Sequence, residues 1–231
     1  MNGNKQAYFA GGCFWCTEAI YKKLHGVINV TPGYSGGSLT NPTYKEVCTG
    51  NTGHAESIKI DYDPELISFE LLVEIFFSTH DPTTLNRQGN DVGSHYRSAI
   101  FFNDLNEKNI AQAHVKKLLN GTYKSAKIVT ELKEFEIFYE AEDYHKNYFE
   151  LNKVQPYCHI VILPKVEKFK KTYVEFNKGD LLVLNGNCIH GSSANHSNNS
   201  RPLLSVSYIS KGEKFISGNN ARRMFIKLME K

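Results

Sequence analysis

Cys13 and Cys16 are the residues of this sequence best suited to chemistry, because they form a C-x-x-C pair directly after Gly11 and Gly12. The apolar spacing that follows predicts a helix beginning at the pair. Unpaired backbone N–H groups and the positive end of the helix dipole favour a thiolate over a thiol at such a place. The three-residue spacing puts both sulfurs on one face of the first turn, close enough for a disulfide or for relay of an oxidised sulfur. The pair therefore favours redox chemistry.

Two other interpretations of the pair stay open on this pattern alone. Half of a zinc site would need two further ligands, and the sequence has no second C-x-x-C and no H-x₃-H to supply them. An inert, buried pair of cysteines is the remaining interpretation.

The elements that must position the pair alternate between strands and helices. Residues 6–10 form a short apolar stretch that predicts a buried strand, and apolar residues at 13, 16, 20 and 24 predict the helix after it. Further strands are predicted at 27–34, 56–62, 97–102, 126–131 and 135–139, and further helices at 68–79, 103–120 and 143–150. The polar stretch 80–93 predicts a surface loop. This alternation predicts an α/β or α+β two-layer fold.

Composition and charge exclude several classes of protein. The 231 residues are 41% hydrophobic and 22% charged, which is typical of a globular chain and not of a disordered one. The net charge of +3 is too small to indicate nucleic acid or a membrane surface as a partner. It is uneven, at −1 over residues 1–172 and +4 over 173–231, which indicates a boundary near residue 172.

Cysteine content and hydropathy predict a cytoplasmic location. Five sparse cysteines do not suggest a disulfide framework. The first twelve residues have neither the apolar stretch of a signal peptide nor the composition of a transit peptide. No run of about 18 apolar residues predicts a membrane-spanning helix.

Seven sequence blocks carry a family resemblance. They are AGGCFWC at 10–16, GYSGG at 33–37, NPTY at 41–44, TGHAE at 52–56, HDPTT at 80–84, RQGNDVGSHYRS at 87–98 and FYEAEDYHKNYF at 138–149. In order and content, over roughly residues 6–171, they resemble the A-type peptide methionine sulfoxide reductases. The resemblance implies a catalytic domain at 1–172 with a ferredoxin-like sandwich. It also implies reduction of the S epimer of methionine sulfoxide, free or in proteins, with no metal or organic cofactor.

Sulfoxide reduction needs a soft nucleophile, a proton for the departing oxygen and a surface for the substrate methyl group. Cys13 suits the first task, and Glu56 suits the second if burial keeps its carboxyl group protonated near neutral pH. A salt-bridged surface glutamate is the alternative for Glu56. Phe14 and Trp15 match the aromatic wall of the family, on which the methyl group would rest.

Three polar residues take their expected roles from the resemblance. Tyr44 and Tyr96 match positions whose phenol groups hydrogen-bond the sulfoxide oxygen, and Asp91 matches a residue that orders this network. Viewed alone, each would be an ordinary half-buried tyrosine or loop aspartate.

The implied reaction converts Cys13 to a sulfenic acid, which a second thiol must resolve to a disulfide. Thioredoxin or another dithiol would then reduce that disulfide by exchange. Cys16 is the preferred resolving thiol because C-x-x-C proximity needs no large movement. Cys158 is the alternative, since it follows the last predicted helix in a flexible-looking segment. Cys48 is expected to be an inert buried thiol.

The last 59 residues lie outside the reductase pattern. The stretch from Phe176 to Gly212 resembles the carboxy-terminal part of a phytanoyl-CoA dioxygenase-type double-stranded β-helix, with His190 and Arg201 at the iron-binding and 2-oxoglutarate positions. The H-x-D half of such an iron site is missing upstream. Residues 173–231 are therefore expected to be a β-rich, incomplete appendage without iron, in which Cys188 has no evident role.

Two other functions remain open. A general thiol–disulfide oxidoreductase would use Cys13 and Cys16 alone and leave Glu56 without a task. A binding module would recognise methionine sulfoxide without reducing it. His54 and Glu56 also spell H-x-E, two thirds of an iron-binding triad, but the reductase block accounts for both.

Overall fold

The computed structural model describes residues 3–172. Its strands are β1 (Lys5–Gly11), β2 (Val27–Ser35), β3 (Ala55–Tyr62), β4 (Arg87–Gln88), β5 (Asp91–Val92), β6 (Ser98–Phe102), β7 (Glu131–Glu134) and β8 (Phe138–Glu140). Its helices are α1 (Phe14–Tyr21), α2 (Tyr44–Cys48), α3 (Phe69–Thr79), α4 (Leu105–Asn120), α5 (Tyr148–Leu151) and α6 (Leu163–Thr172). The predictions for Cys188, His190, Arg201 and the appendage lie outside the described residues.

Six strands form one sheet in the order β7-β6-β1-β3-β2-β8, antiparallel except for the parallel pair β6 and β7. The four central strands β6-β1-β3-β2, with α1 after β1 and α3 after β3, have the order of a ferredoxin-like sandwich. Helix α1 packs on β2 and β3, and α3 packs on β1 and α4. The predicted fold is confirmed.

The core lies where the apolar stretches of the central strands meet these helices. Residues 7–11 of β1 are all buried because the strand runs between β3 and β6, and Phe9 pairs with Ile58 on one side and Ile100 on the other. The Phe9 ring contacts Tyr21 of α1 and Phe76 of α3. Burial of such aromatic side chains contributes roughly 2 to 3 kcal/mol each, so β1 is anchored firmly just before the cysteine pair.

Local signals placed most helix ends correctly. Ser68 is the N-cap of α3, and its hydroxyl accepts a hydrogen bond from the Leu71 amide at 3.2 Å. Gly121 follows the last residue of α4, as the stop signal predicted. The strands predicted at 126–131 and 135–139 begin later, as β7 and β8. Hydrogen-bonded turns occupy residues 121–126, and the Val129 amide donates to the Pro82 carbonyl at 2.8 Å instead of to a strand.

The prediction of one continuous helix at 143–150 is wrong. A 3₁₀ turn at Asp143–His145 is separated from α5 by Asn147, whose φ of +56° is left-handed. The Asn147 amide donates to a carboxylate oxygen of Glu18 at 2.8 Å. This contact with α1 stabilises a backbone conformation that helix propensity does not predict.

The segment around Cys158 is a second correction. It was expected to be flexible, yet Cys158–Ile162 forms a π-helical turn that continues directly into α6. Cys158 itself is 0% exposed. Within residues 3–172, no helix is both long enough and apolar enough to span a membrane.

Candidate active site

The turn between β1 and α1 places Cys13 at the N-cap of the helix. Gly12 has a left-handed φ of +86°, and a Cβ atom there would lie 2.6 Å from the Gln88 side chain. Only glycine tolerates both conditions. The chain can therefore reverse sharply here and present Cys13 beside the first free amides of α1.

The two thiols lie buried side by side. A helix start favours a thiolate at Cys13, but the pKa values of the two thiols shift in opposite directions. Cys13 is 4% exposed, and burial together with the neighbouring Cys16 raises its pKa well above the ordinary value. The pKa of Cys16 is lowered by its hydrogen bond from Cys13 and by the Lys165 ammonium, which lies 3.6 Å from its sulfur. The structure therefore favours the thiolate on Cys16 and the proton on Cys13.

Glu56 is buried, as the proton-donor hypothesis requires. It lies on β3, is 1% exposed, and accepts a hydrogen bond from the Phe14 amide at 3.0 Å. Burial raises the pKa of this carboxyl group to about 8, even though the Phe14 amide acts in the opposite direction. Asp91 and Cys16 raise the pKa further. At neutral pH the carboxyl group is therefore mostly protonated.

Tyr44 and Tyr96 face this carboxyl group. Burial is the main reason that both phenols have raised pKa values, and the charge of Glu56 is the next. Both hydroxyls therefore remain proton donors at any physiological pH. The structure brings Glu56, Tyr44 and Tyr96 together, although their positions are 12 and 40 residues apart in sequence.

Glu142 positions Tyr44, and the sequence analysis missed it. One of its carboxylate oxygens accepts from the Tyr44 amide at 2.9 Å, and the other accepts from the Tyr34 hydroxyl at 2.7 Å. These bonds lower the pKa of Glu142, so it stays charged. Glu142 lies inside the family block at 138–149, which marks it as a candidate site residue. Its position in the sequence does not indicate that Tyr44 and Tyr34 are its hydrogen-bond partners.

Arg97 positions the turn that carries Tyr96, and it was missed as well. Its guanidinium donates to the Ser94 carbonyl at 3.1 Å and to the Gly53 carbonyl at 2.9 Å. It also pairs with Glu131 at 3.2 Å. One side chain thus ties the Tyr96 turn to the loop that leads into β3 and Glu56.

Asp91 is bonded to the thiol side of the site, and its charge also acts on Glu56 and Tyr96. One of its carboxylate oxygens accepts a hydrogen bond from the Tyr157 hydroxyl at 2.8 Å. That hydroxyl also contacts the Cys13 sulfur and favours its thiolate, against the larger effect of burial. The sequence pattern assigns Tyr157 no role, because nothing local connects it to Cys13.

Phe14 and Trp15 form an aromatic surface beside the thiols. Phe14 is buried against Tyr44 and His145, with ring centroids 6.3 and 5.0 Å away. Trp15 is half-buried and stacks on Tyr148 at 3.6 Å, while its indole N–H donates to His145 Nδ1 at 3.2 Å. Burial lowers the pKa of His145, so the ring is neutral and can accept this bond.

Cys48 is not the buried thiol that was expected. It is the last residue of the short helix α2 and is exposed. Its sulfur nevertheless lies within 4.8 Å of a carboxylate oxygen of Glu56. Cysteine is usually a buried residue type, but the end of α2 lies at the rim of the site.

His54 is excluded as a metal ligand by its hydrogen bonds. One ring nitrogen lies 3.1 Å from the Gly37 amide and the other 2.8 Å from the Leu39 carbonyl oxygen. Both nitrogens are therefore engaged in holding the loops before β3. The histidine of the H-x-E pattern, His54, therefore has a structural role.

Comparison with known proteins agrees with this geometry. The family model described as peptide methionine sulfoxide reductase matches residues 5–177. The peptide methionine sulfoxide reductase MsrA of Saccharolobus solfataricus is 54% identical over 72% of this chain and 93% of its own. That of Nautilia profundicola is 51% identical over 75% of this chain and 98% of its own.

Solved structures show the same similarity. Methionine sulfoxide reductase A of Corynebacterium diphtheriae has a TM-score of 0.60 at 35% identity, covering 67% of this chain and 78% of its own. Mxr1 of Saccharomyces cerevisiae in reduced form has a TM-score of 0.61 at 34% identity, covering 67% and 89%. The chain belongs to the peptide methionine sulfoxide reductase family.

Proposed function

We propose that this protein reduces the S epimer of methionine sulfoxide, free or in proteins, to methionine. The observation that carries the proposal is the Phe14 amide, which binds the Glu56 carboxyl group at 3.0 Å directly beside Cys13. A thiol nucleophile and a carboxylic acid with a pKa of about 8 are thereby joined at one helix end. That pairing supplies both the attack on sulfur and the proton for oxygen.

In the first step the Cys13 sulfur attacks the sulfoxide sulfur. The proton of Cys13 passes to the Cys16 thiolate, to which it is already hydrogen-bonded. Glu56 delivers its proton to the sulfoxide oxygen. The hydroxyl is then transferred to the Cys13 sulfur, giving a sulfenic acid, as the substrate's sulfur–oxygen bond and the transient bond between the two sulfurs both break. Methionine leaves reduced by two electrons, and Glu56 is left as a carboxylate.

Tyr44 and Tyr96 donate hydrogen bonds to the sulfoxide oxygen while charge develops on it, and Asp91 orders the adjacent network through Tyr157. Phe14 and Trp15 provide the apolar surface for the substrate methyl group.

In the second step Cys16 attacks the sulfur of the Cys13 sulfenic acid. A disulfide forms, and the hydroxyl leaves as water with the proton that Cys16 holds. The contact between Lys165 and Cys16 supports this assignment, because an adjacent ammonium favours the thiolate that must attack. Cys158 is the second candidate for the resolving thiol. Burial raises its pKa, and the charge of Cys16 raises that pKa further.

Thioredoxin or another dithiol then reduces the disulfide by exchange. Each thiol of the pair is at most 4% exposed and Cys158 is 0% exposed, so the reductant needs local opening to reach a disulfide at either place. Cys158 lines a groove of about 260 Å³ with Phe149 and Leu163. The cytoplasmic location remains a prediction in keeping with this dependence on a reducing partner.

The test is reduction of separated S and R sulfoxide epimers of one peptide with dithiothreitol, using wild type and Cys13→Ser. We expect turnover of the S epimer only, and its loss in the variant. Turnover of both epimers, or an active Cys13→Ser protein that retains its fold, would contradict the proposal.

The alternative of a general thiol–disulfide oxidoreductase is separated by a second assay on the same protein. Burial of both sulfurs opposes attack on disulfides of large substrates. Reduction of an insulin disulfide at a rate comparable with sulfoxide reduction would favour this alternative. A sulfoxide that binds but is never reduced would favour the binding module instead.

A further inference from the structure

We propose that Cys48, Glu56 and His95 form an inhibitory site for a zinc ion at the mouth of the active site. The Cys48 sulfur, a carboxylate oxygen of Glu56 and a ring nitrogen of His95 all lie within 4.8 Å of one another. This part of the proposal concerns metal binding and stands without the reaction. The inhibitory part rests on the proposed function of Glu56.

The donor set matches the chemistry of zinc. Thiolate, imidazole and carboxylate are the three side chains that bind Zn²⁺, at about 2.0 to 2.3 Å. Magnesium and calcium prefer oxygen ligands alone and would not select this set. Tetrahedral bonds of that length separate ligand atoms by roughly 3.5 Å. The three atoms therefore need to approach by about an ångström, within reach of side-chain rotation.

Two buried polar atoms of this cluster lack the partners that such atoms normally have. Glu56 Oε1 and His95 Nδ1 are buried, and neither has a hydrogen bond to any residue within 3–172. Buried polar atoms are nearly always satisfied. The other carboxylate oxygen, Oε2, is already held by the Phe14 amide, so the carboxyl group is oriented with its free oxygen available.

Cys48 gives the cluster its access to solvent. Cys48 is exposed at the end of α2, and His95 is 6% exposed in the turn at Ser94–Tyr96. A Cβ atom on Gly93 would lie 2.5 Å from the His95 ring, so the ring packs closely on its own turn. A fixed imidazole and carboxylate with one accessible thiol leave a fourth position for water, as in open zinc sites.

Zinc bound here would stop sulfoxide reduction by occupying its proton donor. A carboxylate that ligates a metal is deprotonated and has no proton to deliver. The ion would also lie beside Tyr44 and Tyr96, where the sulfoxide oxygen is expected. Metal binding and sulfoxide reduction would therefore exclude each other.

The first test measures alkylation of Cys48 by iodoacetamide in the full chain, resolved cysteine by cysteine by mass spectrometry, with and without zinc chloride. We expect zinc to slow alkylation of Cys48 by about tenfold or more. His95→Gln and Glu56→Gln should each remove that protection. His25→Gln, which alters a histidine outside the cluster, is the matched control and should retain it.

Equal alkylation of Cys48 with and without zinc would overturn the proposal, and so would protection that survives in His95→Gln. A second measurement uses the full chain with Cys13, Cys16, Cys158 and Cys188 replaced by serine and Co²⁺ as the probe. A thiolate-to-cobalt charge-transfer band that disappears on Cys48→Ser is expected. Its absence from a folded parent would also overturn the site.

The inhibitory part is tested by single-turnover reduction of the S epimer without thiol reductant, in a Cys158→Ser, Cys188→Ser background that keeps Cys13 and Cys16. Half-inhibition should require about tenfold more zinc after Cys48→Ser is added. Equal sensitivity of the two proteins would refute inhibition through this site. If the background protein reduces no sulfoxide without zinc, the proposed function fails while the alkylation result still decides metal binding.

Discussion

The acid side and the thiol side of the site are built from different parts of the molecule. Glu56 lies on β3 between two other strands, and its carboxyl group is held by a backbone amide. Cys16 instead contacts Lys165 of α6, the last described helix, and α1 packs against α5 and α6. One side is fixed by the sheet, and the other by the short helices α5 and α6 at the end of the described residues.

This difference matches the two tasks of the site, which are proton donation and exchange of a disulfide with a reductant. A proton donor with a raised pKa needs a dry, unchanging environment, which the centre of a sheet supplies. A disulfide must at some stage reach an external reductant, although the sulfurs of Cys13, Cys16 and Cys158 are all buried. Short helices at the end of the domain can open at lower cost than strands in the centre of a sheet. The predictions below test whether the two sides act separately.

Cys16→Ser should separate the acid side from the thiol side most sharply. We expect turnover with thioredoxin to fall by about a hundredfold or more, because no thiol is left hydrogen-bonded to Cys13 to resolve the sulfenic acid. One methionine per chain should still form, because the acid side is intact, but more slowly, because Cys13 has lost the thiolate that accepts its proton. Rapid-quench counting of product per chain measures both. Undiminished thioredoxin turnover would assign resolution to Cys158, and the matched variant Cys158→Ser would then lose it.

Glu56→Gln should damage the acid side alone. The rate of the first turnover should fall by roughly a hundredfold or more, because the amide has no acidic proton to deliver. In wild type the acid form exists below the pKa of about 8, so the first-turnover rate should fall as the pH rises through about 8. Glu56→Gln should lack this descending limb, and a limb that persists unchanged would assign it to another group.

Lys165→Met should slow resolution while sparing the acid side. Without the ammonium the pKa of Cys16 rises, so less thiolate is present at pH 7 and disulfide formation slows by about tenfold. The rate should recover as the pH is raised towards the ordinary thiol range. Lys165→Arg should retain much of the wild-type rate, and the sulfenic acid lifetime, trapped with dimedone, measures the change. A lifetime equal to that of wild type would show that Lys165 has no such role.

Glu142→Gln should have the smallest effect. The amide can still accept one of the two hydrogen bonds from Tyr34 and the Tyr44 backbone, so we expect a loss of about threefold to tenfold in the first turnover. Disulfide formation should be unchanged, because Glu142 contacts neither thiol. A larger effect on resolution than on the first turnover would contradict the division into two sides.

Local sequence signals were reliable where the structure depends on neighbouring residues. The strand before Gly11, the helix beginning after Cys13 and the Ser68 cap follow from alternation, spacing and capping chemistry, and the structure confirms them. Long-range contacts produced the errors. The left-handed Asn147 is bonded to Glu18, 129 positions away, and no local pattern encodes that contact.

By itself, the sequence determined which groups are available: a thiol pair at a helix start, one glutamate ahead of an apolar strand, and aromatic residues beside the thiols. It did not determine the state of these groups. Only the tertiary structure placed the Lys165 ammonium, 149 positions away in sequence, beside Cys16, where it favours that thiolate. It also decided that Glu56 keeps its proton and that Cys48 is exposed. The reason is physical: protonation depends on solvent exclusion and on charges a few ångströms away, and folding brings those from distant parts of the chain.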